Sequence, residues 1–179
     1  AGGGARTFAA QVRELAERCG AAVVLSPGST GVLPDAHPQN LHVGGSKGSL
    51  SGNFAMREAT LLVAIGTRAV CQSDCSGIGY PQATQVINLN ADLADVAHYN
   101  RTLALQGDIG VVLGQLLQAL DAVHDTQGAA RQAWLQACRE HKASWKAFLA
   151  QRQATAPMFD EVWQQPVLTQ PVAIKVACD

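Results

Sequence analysis

The stretch TLLVAIG, residues 60–66, decides the fold class of this chain. It is apolar almost throughout and ends on a glycine. A short apolar run without polar alternation is typical of a strand buried on both faces of a parallel sheet. Two later runs have the same character, TQVINLN at residues 84–90 and TLALQGD at residues 102–108. The three runs predict a parallel sheet at the centre of the fold.

Helices are predicted between these strands. Apolar residues recur at helical spacing over residues 8–19, with Thr7 as the expected N-cap and Gly20 as the expected end. Further elements are a strand at 21–26, a loop at 27–48, a helix at 50–59 and a helix capped by Asp108. Alternating strands and helices predict a Rossmann-like α/β fold, a right-handed doubly wound parallel sheet.

The chain opens on AGGGARTF, residues 1–8, a glycine turn directly before a helix. Such a turn normally follows a strand, so we expect the first strand of the sheet to be missing and interpret the chain as part of a longer protein. The dinucleotide fingerprint GxGxxG matches at Gly2 and Gly4 but fails at Thr7. Lys47 lies among glycines without completing a phosphate-binding P-loop.

The character of the chain changes near Asp125. Residues 1–125 are predicted as one domain, and residues 126–179 as a helical linker with the start of a following domain. The linker begins with a long helix over 127–153. Its apolar stripe consists of Trp134, Cys138, His141, Trp145 and Phe148, which makes His141 a packing residue rather than a ligand. Residues 154–166 are predicted as an extended linker, and a last helix is predicted to start at Thr169.

Composition excludes several function classes. The 179 residues carry a net charge of −1, so no basic surface for nucleic acid or for an anionic membrane is expected. No apolar run is long enough to span a membrane. The five cysteines are odd in number and scattered, which argues against a disulfide framework and for a reducing cytoplasm. Cys71 and Cys75 lack a second pair at zinc-finger spacing, so no metal site is expected.

No catalytic constellation is visible in the sequence. There is no GxSxG elbow and no HExxH motif. The isolated carboxylates read as helix caps or solvated turns; they are Asp74, Asp92, Asp95 and Asp108. We therefore expect no catalytic residue in this chain.

Over residues 1–125 the order of the motifs resembles the central domain of thiamine-diphosphate-dependent enzymes, the family of acetolactate synthase and trihydroxycyclohexanedione hydrolase. AGGGA resembles that domain's first strand-to-helix turn, and GSTGVLPDAHPQNL resembles its Gly-x-x-Pro-x-x-His-Pro loop. The same order continues through GGSKGSLSGNFAMREATLLVAIGTR, VINLNADLADV and LQGDIGVVLGQLL. Each motif alone is weak evidence for the resemblance, but this many motifs in the same order along the chain are specific.

The resemblance implies a parent enzyme that makes or breaks a C–C bond in 2-keto acids or cyclic diketones. Its thiamine diphosphate and magnesium would be bound by other domains of the same polypeptide, in a cytoplasmic homo-oligomer. The family's Gly-Asp-Gly…Asn-Asn motif is absent here. We therefore expect this part of the enzyme to bind no thiamine diphosphate and not to be catalytic alone.

Some relatives hold FAD or ADP on this domain. The resemblance transfers that role to eight positions: Gly3, Gly4, Gly31, Lys47, Gly48, Arg68, Asn90 and Asp108. Lys47 replaces a histidine and Asn90 replaces the aspartate of flavin-binding members, so we expect a structural domain, with FAD or ADP binding left open. The alternative is a stand-alone Rossmann-like nucleotide-binding module.

Overall fold

The structure is a computed structural model that describes residues 1–68, 79–97, 102–123 and 128–179. The helices are α1 (Ala9–Cys19), α2 (Leu50–Glu58), α3 (Leu93–Val96), α4 (Ile109–Leu120), α5 (Gly128–Gln153) and α6 (Gln170–Cys178). The strands are β1 (Val23–Leu25), β2 (Asn40–Val43), β3 (Leu61–Ile65), β4 (Gln85–Asn90), β5 (Thr102–Gln106), β6 (Met158–Asp160) and β7 (Gln165–Val167). Cys71, Asp74, Cys75 and the domain boundary expected after residue 125 lie outside the described residues.

Two parallel sheets form the centre of the fold. Strands β3, β4 and β5 pair in that order without a register break, with Leu61 opposite Gln85 and Val86 opposite Thr102. Strands β1 and β2 form the second sheet. The continuous apolar runs at residues 60–66 and 84–90 are thus parallel strands, which confirms the predicted doubly wound α/β class.

The first two residues join these sheets into one array. The Ala1 amino group donates to the Val24 carbonyl at 2.7 Å, and the Ser26 amide donates to the Ala1 carbonyl at 3.0 Å. On the other side, the Gly2 amide donates to the Ile65 carbonyl at 2.9 Å. Ala1 and Gly2 therefore lie between β1 and β3 and hydrogen-bond to both strands.

The described helices pack on one face of the array and on the opposite face of β1 and β2, whereas Leu61 of β3 and Leu103 of β5 stay about half exposed. Helices α1 and α4 pack on one face, where Val12, Leu113, Ile65 and Leu89 belong to one buried apolar cluster. On the opposite face of β1 and β2, α2 and α5 enclose a smaller cluster that includes Leu41. The His141 ring of α5 stacks on Phe54 of α2 at 3.6 Å between ring centroids, so this histidine packs as predicted. None of the described helices is long and apolar enough to cross a membrane.

Two of the three predicted helix signals are confirmed. Gly20 ends α1 in the left-handed conformation at φ 62°, and the Asp108 side chain caps α4 by accepting from the Val111 amide at 3.0 Å. Thr7 is not the N-cap of α1, because Gly3–Phe8 forms a 3-10 turn and Phe8 occupies the cap position. The glycine turn thus winds into a helix before Thr7 is reached.

Two segments predicted as loop or linker contain strands. The predicted loop 27–48 includes β2, whose short sequence NLHV lacks the apolar continuity of the other strands. Residues 154–166 are not simply extended, because β6 and β7 pair antiparallel. Their turn is closed by Asp160, whose carboxylate accepts from the amides of Val162 and Trp163. Helix α6 begins directly after Thr169, as predicted.

The glycine turn gives a matched pair of substitutions. A Cβ on Gly2 would lie 2.4 Å from the Gly66 carbonyl oxygen, whereas a Cβ on Gly3 would meet only the Gly28 oxygen, at 3.8 Å. We expect Gly2→Ala to lower the free energy of unfolding by about 2–3 kcal/mol because backbone must move. Gly3→Ala should leave it within about 0.5 kcal/mol. Urea denaturation measures both, and equal effects would contradict the close approach.

Candidate functional site

Five of the eight predicted site residues lie in the loops that follow parallel strands, where ligands bind in folds of this class. Asn90 is the last residue of β4, and Gly3 and Gly4 begin the 3-10 turn Gly3–Phe8. The eight residues fall into two groups. Gly3, Gly4, Arg68, Asn90 and Asp108 lie by the ends of β3, β4 and β5, whereas Gly31, Lys47 and Gly48 follow β1 and β2.

In the first group, Gly4 packs against Gly66, which lies in the turn directly after β3. The Gly4 amide donates to the Gly66 carbonyl at 3.0 Å. A Cβ on Gly66 would lie 2.8 Å from the Gly4 backbone and 2.7 Å from the Ile109 side chain. Gly66 also has φ 55°, a conformation that favours glycine. The space that a phosphate would need against Gly4 is occupied by the neighbouring turn.

Asn90 links the ends of two strands. Its side-chain amide donates to the Thr67 carbonyl at 3.1 Å, and its side-chain oxygen accepts from the Asp92 amide at 3.2 Å. The residue is 8% exposed. Both ends of the side chain are thus engaged within the fold, in contrast with the carboxylate that flavin-binding relatives carry at this place.

Asp108 is engaged as well. Its carboxylate caps α4, and the preceding Gly107 amide donates to the Asn90 carbonyl at 3.1 Å. Arg68, by contrast, is exposed and makes no ion pair with any residue that the structure describes. Of the first group, Arg68 is therefore the side chain available to an anion.

The three residues of the second group differ in how closely other atoms surround them. Gly31 has φ 93°, and a Cβ there would meet no atom within 4 Å. Gly48 is confined, since a Cβ would lie 2.5 Å from the Val43 carbonyl oxygen. Lys47 is exposed and, within the described part of the chain, has no hydrogen-bond or ion-pair partner. Lys47 and Arg68 are therefore the cations that each group offers to solvent.

Sequence reasoning missed a cavity beside Gly31. It holds about 320 Å³ and is walled by Leu25, Leu33, Val43, Asp35 and His42 together with neighbouring backbone. His42 has φ 67°, which a sequence pattern does not reveal for a non-glycine residue. The one signal in the sequence was the length of the loop 27–48.

Comparison with known families now adds to this geometry. Residues 1–116 match the family model described as "Thiamine pyrophosphate enzyme, central domain". The chain belongs to this family. The match covers both strand-end groups of the central-domain fold.

The most similar relatives include several acetolactate synthases. The chain is 32% identical over 126 residues to acetolactate synthase isozyme 1 large subunit of Escherichia coli strain K12, covering 68% of this chain and 22% of the relative. It is 30% identical over 149 residues to acetolactate synthase of Mycobacterium avium, covering 83% and 22%. It is 29% identical over 146 residues to a putative thiamine pyrophosphate-containing protein, YdaP, of Bacillus subtilis strain 168, covering 81% and 24%. The chain spans about a fifth of the length of the curated relatives that it matches.

The residues of this chain do not fit thiamine diphosphate. At the point closest to a Gly-Asp-Gly motif the sequence reads Gly107-Asp108-Ile109, and the Asp108 carboxylate is used as a helix cap. The described residues also contain no group of three or more His, Cys, Asp or Glu side chains that could hold a metal ion. No step of a thiamine reaction is therefore assigned to this chain.

Exchanging amide for carboxylate tests the role of Asn90. Asn90→Asp removes the donor to the Thr67 carbonyl and puts a buried carboxylate oxygen against it, so the free energy of unfolding should fall by about 1–3 kcal/mol at pH 7. The reciprocal change Asp108→Asn is the control, because asparagine caps helices as well as aspartate does and stability should stay within about 0.5 kcal/mol. A stable Asn90→Asp protein in urea denaturation would contradict the assignment.

Proposed function

We propose that this chain forms the central, structural domain of a thiamine-diphosphate-dependent enzyme that makes or breaks a C–C bond next to the carbonyl of a 2-keto acid or cyclic diketone. The family match over residues 1–116 carries the proposal. Relatives named acetolactate synthase favour the 2-keto acid class of substrate. A stand-alone nucleotide-binding module is not favoured, since the matched stretch makes up only 22% of the length of each of these relatives.

The chemistry would come from other domains. Thiamine diphosphate supplies an electron sink for the bond next to the carbonyl, and magnesium would anchor its diphosphate. This chain's residues would hold those domains in position. The packed turns at Gly4 and Gly66 support a structural role, and so do the hydrogen bonds of Asn90. Turns held by internal contacts are suited to a spacer and less suited to a nucleotide-binding loop.

An apolar surface near the end of the chain supports docking to another domain. We call it the C-terminal apolar surface; its exposed members are Met158, Phe159, Val162, Trp163, Ile174 and Val176. Val162 is 85% exposed and Trp163 is 70% exposed. Large apolar side chains exposed in this number usually mark an interface. We propose that it packs against another domain of the same polypeptide, within a cytoplasmic homo-oligomer.

FAD or ADP is not part of the proposed mechanism. Asn90 presents no carboxylate, and the amides of Gly2 and Gly4 already donate to the carbonyls of Ile65 and Gly66. Lys47 and Arg68 remain as exposed cations that could meet an anion. The function test below therefore includes the nucleotides.

The test uses the complete polypeptide that carries this sequence. After dialysis it should consume pyruvate or another 2-keto acid when thiamine diphosphate and magnesium are added, and added FAD or ADP should change the rate less than twofold. The 179-residue chain should be inactive under the same conditions. Activity of the short chain, or a complete polypeptide that acts on neither 2-keto acids nor cyclic diketones, would overturn the proposal.

A matched pair of exposed valines tests the docking. Val162→Ser changes the C-terminal apolar surface, whereas Val111→Ser changes a valine that is 59% exposed on α4. Val162→Ser should destabilise the complete polypeptide by about 1–2 kcal/mol but leave the 179-residue chain unaffected, because only the former buries the side chain. Val111→Ser should affect both proteins equally. Equal effects of Val162→Ser on both would argue against docking at this surface.

A further inference from the structure

His42 has a strained backbone in a bulged strand. Along β1 two residue steps separate Val23 from Leu25, but their partners Asn40 and Val43 on β2 are three steps apart. The extra residue is accommodated by His42 at φ 67°. A left-handed conformation costs a non-glycine residue about 1–2 kcal/mol. Bulges of this kind redirect side chains and are frequent beside binding sites.

The bulge is fixed by a neighbouring side chain. The Asn40 oxygen accepts from the His42 amide at 2.8 Å, and the Asn40 amide donates to the carbonyls of Leu33 and Pro34 at 3.1 Å. Asn40 is 2% exposed. One buried asparagine thus holds the strained residue and the loop opposite it in a fixed arrangement.

The imidazole of His42 is buried without a hydrogen bond. Its side chain is 15% exposed, and neither ring nitrogen has a hydrogen-bond partner. The closest acid is Asp35, whose carboxylate lies 3.6 Å from Nε2, too far for a hydrogen bond. Burial lowers the pKa of His42, while Asp35 raises it and Lys142 and Lys146 lower it further. The neutral ring therefore keeps one donor and one acceptor unused, which costs free energy.

The cavity of about 320 Å³ next to His42 has a fixed wall. Leu25, Leu33 and Val43 provide apolar lining. The Lys142 ammonium, from α5, donates to the carbonyls of Asp35 and His37 at 2.7 Å each, which ties the loop to the helix. The cavity is about half open to solvent, and its volume lies at the lower end of the range of small-molecule pockets.

We propose that the His42 cavity binds a small uncharged molecule with an apolar body and a hydroxyl group. The apolar walls suit the body. The Nε2 atom of His42 is buried beside Asp35 in this structure, and it would pair with the hydroxyl once the Asp35 carboxylate moves away. The Asp35 side chain is 84% exposed, so it can turn aside to admit the hydroxyl and disfavours an anion at the same time. Lys142 and Lys146 on α5 disfavour a cation.

This site goes beyond the proposed function, because it needs neither thiamine diphosphate nor another domain. Of the eight positions considered for a nucleotide, Gly31 lines this cavity, whereas the two cations Lys47 and Arg68 do not. Binding would stabilise the folded chain by supplying a partner to the unpaired imidazole.

Three probes of one size test the proposal on the 179-residue chain: benzyl alcohol, toluene and benzoate. Benzyl alcohol should bind about five- to tenfold more tightly than toluene, which is the contribution of one hydrogen bond, and benzoate should bind more weakly than benzyl alcohol. In a ¹⁵N-histidine spectrum benzyl alcohol should shift the ring nitrogens of His42 and leave those of His141 unchanged. Equal affinities for alcohol and toluene, no binding at millimolar concentration, or unshifted His42 nitrogens would each overturn the proposal.

Two variants separate the hydrogen bond from cavity shape. His42→Phe keeps an aromatic ring and should bind toluene and benzyl alcohol equally. His42→Gly suits the left-handed backbone and has no hydrogen-bonding side chain, so it should fold and lose the fivefold preference or more. If His42→Phe does not fold, His42→Gly still decides, and retention of the preference in either variant would contradict the role of the imidazole.

Discussion

The rest of the fold depends on the close approach of the first turn to the end of β3. Gly2 donates to the Ile65 carbonyl, and Gly4 donates to the Gly66 carbonyl. This approach is open only to residues without a Cβ, because a Cβ on Gly2 would lie 2.4 Å from the Gly66 oxygen. Ala1, on the other side, holds β1. Among the described residues, the backbone hydrogen bonds that link the two parallel sheets are those of Ala1, Gly2 and Gly4.

The same contact limits which groups at the strand ends are free to bind a ligand. Glycine turns before helices can cradle phosphates because they expose amide groups. Here the amides of Gly2 and Gly4 are used by neighbouring carbonyls, and Asn90 and Asp108 are used by a turn and a helix. The glycine pattern is shared with the family, whereas the use of each amide is set by its hydrogen-bond partner in this fold.

The sequence predicted a structural element correctly where a single local pattern determines that element. Continuous apolar runs gave β3 and β4, and Asp108 was an N-cap by its position before an apolar stripe. The prediction that Thr7 is the N-cap of α1 was wrong, because Thr7 lies inside the 3-10 turn Gly3–Phe8. In that turn the Gly4 amide donates to the carbonyl of Gly66, which is distant in sequence. The engagement of Asn90 and the strain at His42 were equally invisible, since both arise from residues brought together by folding. Local patterns predicted the elements, and long-range contacts set what the site residues do.

The position of Ala1 has a practical consequence for protein engineering. Its nitrogen lies between β1 and β3 and donates to the Val24 carbonyl, so an affinity tag fused to it would leave from between two strands rather than from an open surface. Bulky or proline-rich tag sequences would then disturb pairing on both sides at once. Attachment after Asp179, next to the exposed face of α6, places the tag outside this array. The choice of fusion end is therefore a structural variable for this chain.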